Sequence, residues 1–148
     1  MIAAAAVVWK LKSVNAITAI VSTRIYPCRA PQGATLPYLI VDRPPGQQNL
    51  AQTSQGSGSL RKTPIAVYCF ADKDSGGIKQ AGDLMALVDP AIAPTSGVTG
   101  SVQWNGTWID HCTVNDTYAH IEAPEQAEEV GWRSMVGAFD VYHLNCTA

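Results

Sequence analysis

Ile65-Ala66-Val67-Tyr68-Cys69-Phe70 is uncharged throughout, so a strand built from it presents apolar residues on both faces. Such a strand belongs in the middle of a sheet, covered on each side. It lies within a strand predicted over 61–71. Downstream, Asp72 or Asp74 can cap a helix through about Val88, with Ile78, Ala81, Met85 and Val88 facing inward and Pro90 just past its end. Upstream, Gln47 to Ser59 is almost all Gln, Asn, Ser, Thr and Gly; a run such as Gln55-Gly56-Ser57-Gly58-Ser59 buries too little to fix itself. A mobile loop over 47–59, carrying Gln52 and Ser57, is expected; a linker is excluded because the piece before it is too small to fold alone.

Further outward, Val7, Leu11, Val14, Ile17 and Val21 recur at steps of three and four and predict one helix over 3–22. The helix stops before Arg24-Ile25-Tyr26-Pro27, because a residue preceding proline is pushed out of helical geometry. Pro27, Pro31, Gly33 and Pro37 mark an irregular connector, and Pro37-Tyr38-Leu39-Ile40-Val41 reads as a strand ended by Pro44-Pro45-Gly46. Towards the C-terminus, Asn105-Gly106 between Val102–Trp104 and Thr107–Val114 is a two-residue hairpin signal. A loop over 119–130 carries Glu122, Glu125, Glu128 and Glu129, and a last strand is predicted from about Trp132 to Leu144. The sum is one α+β domain over 1–148: a mostly antiparallel sheet of about four to five strands with two helices packed against it.

Composition narrows function. Among 148 residues, 47% are hydrophobic and 15% charged, as in a globular chain, and the net charge of -2 supplies no field for stable DNA binding. The apolar start, Met1 to Trp9, has no positive segment before it and is interrupted by Lys10 and Lys12. No segment approaches the roughly 20 apolar residues of a membrane span. Cys28, Cys69, Cys112 and Cys146 are far apart with no C-x-x-C pair, so reduced thiols are expected and no disulfide. The N-x-T triplets at Asn105, Asn115 and Asn145 are read as chance.

Candidate chemistry is thin. Asp110-His111-Cys112 cannot form a local relay, since neighbours on a strand point to opposite faces. His111, Cys112, His120 and Glu122 match no usual tetrahedral spacing. Gly56-Ser57-Gly58 is not a nucleophile elbow, and Gly76-Gly77 lacks the Lys-Ser/Thr of a phosphate loop. No enzyme activity, cofactor or metal is expected.

Arg24-Ile25-Tyr26-Pro27, then Ala30-Pro31-Gln32-Gly33-Ala34, then Pro37-Tyr38-Leu39-Ile40-Val41, directly after an N-terminal helix, resembles the tail terminator, or tail completion, proteins of long-tailed bacteriophages. The order of the remaining elements agrees. The long Gly/Ser-rich loop and Gly131 and Gly137 in the last strand depart from that pattern. The resemblance implies a structural virion protein, made in the host cytoplasm. It would form a ring, usually hexameric, at the head-proximal end of the tail tube, ending tube growth and joining the head. Its partners would be its own copies, the major tail tube protein and a head–tail connector or neck protein, with DNA passing through the lumen unbound. Arg24, Tyr26, Pro31, Gly33, Tyr38, Gln52, Ser57, Trp104, Trp108 and Glu125 are the candidate interaction residues. A head-closure or neck adaptor ring is the neighbouring alternative, and a secreted binding domain the one outside phage biology.

Overall fold

A computed structural model describes residues 2–43, 48–49, 60–72, 76–93, 102–120 and 132–144. Their order is α1 (Ile2–Lys12), α2 (Asn15–Val21), β1 (Ile25–Pro27), β2 (Tyr38–Asp42), β3 (Gln48–Asn49), β4 (Leu60–Asp72), α3 (Gly77–Ile92), β5 (Val102–Trp104), β6 (Thr107–His120) and β7 (Trp132–Leu144). The strands lie side by side as β1-β2-β4-β7-β6-β5, with β3 also paired to β4. Among the described residues only β1 and β2 run parallel, and the other pairs are antiparallel.

β4 and β7 are the spine, in register from Leu60 opposite Leu144 to Asp72 opposite Trp132. Side chains alternate along them. Thr63, Ile65, Val67, Cys69 and Ala71 of β4 and Phe139, Val141 and His143 of β7 are buried on the face that meets the helices. Leu39 and Val41 of β2 continue that face. Against it pack Val7 and Leu11 of α1, Ile17 and Val21 of α2, and Leu84, Met85, Val88 and Ile92 of α3. This is the α+β domain expected, with a central β4, but among the described residues the sheet has seven strands and the helices number three. β1 forms between the predicted first helix and the connector, where no strand was expected, and β3 forms at the start of the predicted 47–59 loop, opposite Arg61 and Lys62. Residues 50–59, with Gln52 and Ser57, lie outside the described residues.

Five further expectations are corrected. The first helix is two, bent by 87° at Ser13-Val14. Ser13 N and Ser13 Oγ both donate to Lys10 O, at 3.0 and 2.6 Å, and Val14, which is extended (φ -92, ψ 110), donates its N–H to Leu11 O at 3.2 Å, so the last turn tightens and the helix stops. The apolar period runs through the break because both halves bury their stripe. α3 starts after Gly76, at φ 106, rather than from Asp72, which ends β4; Asp74 lies outside the described residues. Its buried face is Ala81, Leu84, Met85, Val88 and Ile92, whereas Ile78 is 43% exposed. Pro90 sits inside its last turn, two residues before the end, where one lost backbone bond is tolerated. The helices cover only one face of β4; Tyr68 and Phe70 on the other are half-buried.

β6 extends to His120, past the predicted start of the acidic loop; Glu122, Glu125, Glu128 and Glu129 lie outside the described residues. No single described helix is long and apolar enough to cross a membrane.

Candidate functional site

The segment from Arg24 to Tyr38 folds into a clamp between the helices and the sheet. Arg24 Nε donates to Pro37 O at 2.9 Å and its Nη2 to Ile20 O at 3.4 Å. One guanidinium thus ties the end of α2 to the entry of β2, on carbonyls rather than on the carboxylate a sequence reading suggests. The backbone repeats the tie, since Leu39 N donates to Arg24 O at 3.0 Å. Pro31 to Ala34 is a tight turn closed by Ala34 N to Pro31 O at 3.1 Å. Gly33 takes φ +77 there, which a side chain would strain, and nothing lies within 4 Å of where its Cβ would be. Pro31 and Gly33 are exposed.

Parallel pairing of β1 and β2 puts Tyr26 and Tyr38 on the sheet face away from the helices, their rings edge-on at 5.9 Å. Tyr38 stacks on Phe70 at 5.1 Å, and Phe70 on Tyr68 at 6.1 Å. The result is an aromatic row across three strands. Burial, then the neighbouring Tyr26, raises the Tyr38 phenol above its ordinary range. Tyr68 and Phe70 were read from sequence only as apolar strand positions; their alternation with Tyr38, two strands along one face, was the available signal. Beyond them, Asp140 accepts from Asn115 Nδ2 at 2.7 Å and pairs with Lys62 Nζ at 3.5 Å, while His111 stacks on Tyr142 at 4.0 Å.

The hairpin turns at Asn105 (φ 52) and Gly106 (φ 79), both left-handed as its type requires. It separates the two tryptophans. Trp104, opposite Thr107, is 7% exposed in the core, with Lys10 Nζ 5.9 Å from its ring centre. Trp108, opposite Gln103, is 38% exposed. Trp104 is therefore a core residue and not a surface anchor. Across the fold, α1 and β1 leave a groove of about 250 Å³ lined by Ala5, Val8, Lys12 and Pro27. So Arg24, Tyr26 and Tyr38 come together, Trp108 stands apart at the hairpin, and Gln52, Ser57 and Glu125 lie outside the described residues.

The polar groups in the interior are built for packing. Thr63 Oγ1 and His143 Nε2 lie 2.8 Å apart, but each residue is only 1% exposed and out of reach of a substrate. Cys28, Cys69 and Cys112 are free thiols. Burial pushes Cys112 up to about 12 and raises Cys69 as well, opposite to the shift that makes a thiol a nucleophile. Among the described residues no three His, Cys, Asp or Glu side chains gather as a metal site.

The family described as "Tail completion protein gp17" matches residues 5–121, which include the whole clamp, the aromatic row and both hairpin strands. No curated protein sequence matches the chain. Among solved structures, a chain described as "Virion of native gene transfer agent (GTA) particle" shares its fold, with a TM-score of 0.65 at 17% identity over 95% of this chain and 93% of that one. The chain belongs to the tail completion protein gp17 family, and its role is that of a structural, virion-associated tail component.

Proposed function

We propose that copies of this chain close into a ring, a hexamer, on the head-proximal end of a tail tube, where the ring ends tube polymerisation and presents the surface that joins the head. The observation that carries this reading is the family match over 5–121, since it spans the clamp on which the first helices and the sheet depend. The chain's partners are its own copies, the tube protein and a connector or neck protein. A net charge of -2 lets DNA pass through the lumen without being held. Capping requires one face that matches the tube end and another that lacks the tube subunit's own binding surface.

Deletion of the gene tests this reading. The expected lysate holds DNA-filled heads without tails beside tails of irregular and often excessive length. Normal-length tails with heads that leak DNA would move the chain to the head side of the joint and end the terminator reading.

A further inference from the structure

A closed ring needs two different patches per subunit that fit one another, and the surface carries a matched pair. One is the α1–β1 groove of about 250 Å³, where Ala5, Val8, Lys12 and Pro27 leave an apolar slot with an exposed ammonium at its rim. Trp9, 45% exposed, extends the same outer side of α1. The other is the β5–β6 hairpin, whose Gln103 and Trp108 face outward as a cross-strand pair. The two differ in sequence charge: residues 2–12 include Lys10 and Lys12 and no acid, whereas residues 102–120 include Asp110 and Asp116 and no lysine or arginine.

The chain already makes this kind of contact within itself, because Lys10 of α1 lies over the Trp104 ring of β5. Lys12 and Trp108 are exposed counterparts of that pair, Lys12 on the same helix and Trp108 on β6, the other strand of the same hairpin. Strand addition through β1 is closed as a rival. Ile25 N already donates to Thr23 O at 2.8 Å, Pro27 has no N–H, and Pro27 O accepts from Arg29 N at 2.7 Å. Side-chain docking is what remains for that end of the sheet.

We infer that the groove of one copy receives Trp108 of the next, with Lys12 over its indole, and that this head-to-tail contact is the subunit interface of the ring. The inference rests on the ring reading above. Cation–π pairing at a partly desolvated site adds to the apolar burial.

Ala5→Glu and Trp108→Glu, both at exposed positions, test it by native mass spectrometry of the full-length protein alone and assembled on purified tubes. Melting temperatures first establish that both variants fold like the parent. Each variant alone is expected to stay monomeric, since every copy lacks one half of the contact. Mixed in equal amounts they should form a one-to-one dimer and nothing larger, because one intact groove meets one intact hairpin. Rings formed by either variant alone, whether or not they still join tubes, would overturn the inference while leaving the ring intact. Failure of the parent protein to assemble at all, including on tubes, would overturn the ring reading itself.

Discussion

At Gly137 the spine strand β7 has no room for a side chain: a Cβ there would sit 2.8 Å from Met85 Sδ and 2.8 Å from Phe139 Cε2. From sequence this glycine looked like a weakness in the last strand, yet β7 pairs through it, with Val67 on one side and Thr117 on the other. The missing side chain lets α3 press onto the sheet. Period and propensity cannot disclose such a fit, because it depends on which methionine arrives from another element. Gly137→Ala should cost about 1–3 kcal/mol by overpacking, and less in a chain already carrying Met85→Ala. Equal losses in the two backgrounds, read from denaturant curves, would contradict the close approach. Asp89, in the last turn of α3, is the opposite case. Burial raises its carboxyl above the ordinary range, and one of its oxygens is buried without a partner. A folded pKa above the unfolded one means that its contribution is fully present below about pH 3.9 and is lost as pH rises. The helix C-terminus adds to the cost of the anion. Asp89→Asn should therefore raise the melting temperature at neutral pH and much less in acid; a pH-independent change would contradict this.

The hairpin shows how far an element can be read. Asn105-Gly106 predicts the turn, and the turn fixes which tryptophan is inside. In a two-residue hairpin, Trp104 and Thr107 are opposite and share a face, so Trp108 must lie on the other. Thr107, small and 5% exposed, leaves Trp104 room in the core. Applied to the register, that rule separates the two aromatics that composition treats alike. Trp104→Ala should cost about 3–5 kcal/mol, while Trp108→Ala should change stability by no more than about 0.5 kcal/mol. Thermal melts of the two variants check the contrast, and comparable losses would contradict the register. The N-terminal helices were less legible. The stripe from Val7 to Val21 fits one straight helix, and the bend shows only in the structure, where Ser13 Oγ reaches Lys10 O and Val14 turns extended. The short strand Ile25–Pro27 was hidden for another reason: three residues are too few for alternation to register, and its pairing depends on Arg24 holding β2 in place.

For the whole molecule, sequence reaches the α+β class, the central position of β4 and the family, because these depend on hydrophobic order along the chain and on a compact motif. It does not reach the surface that acts. The aromatic row of Tyr26, Tyr38, Phe70 and Tyr68 comes from three strands, and the groove from a helix and an edge strand distant in sequence from the hairpin that complements it. Such surfaces exist only after folding. The central claim is that this chain caps the tube as a ring, and a reconstruction of the neck in intact particles tests it most directly. The account predicts a single closed ring, six copies of this fold, seated on the last tube layer with the head connector on its far side. Tube density continuing directly into the connector, with this chain absent or placed only on the head side, would contradict it.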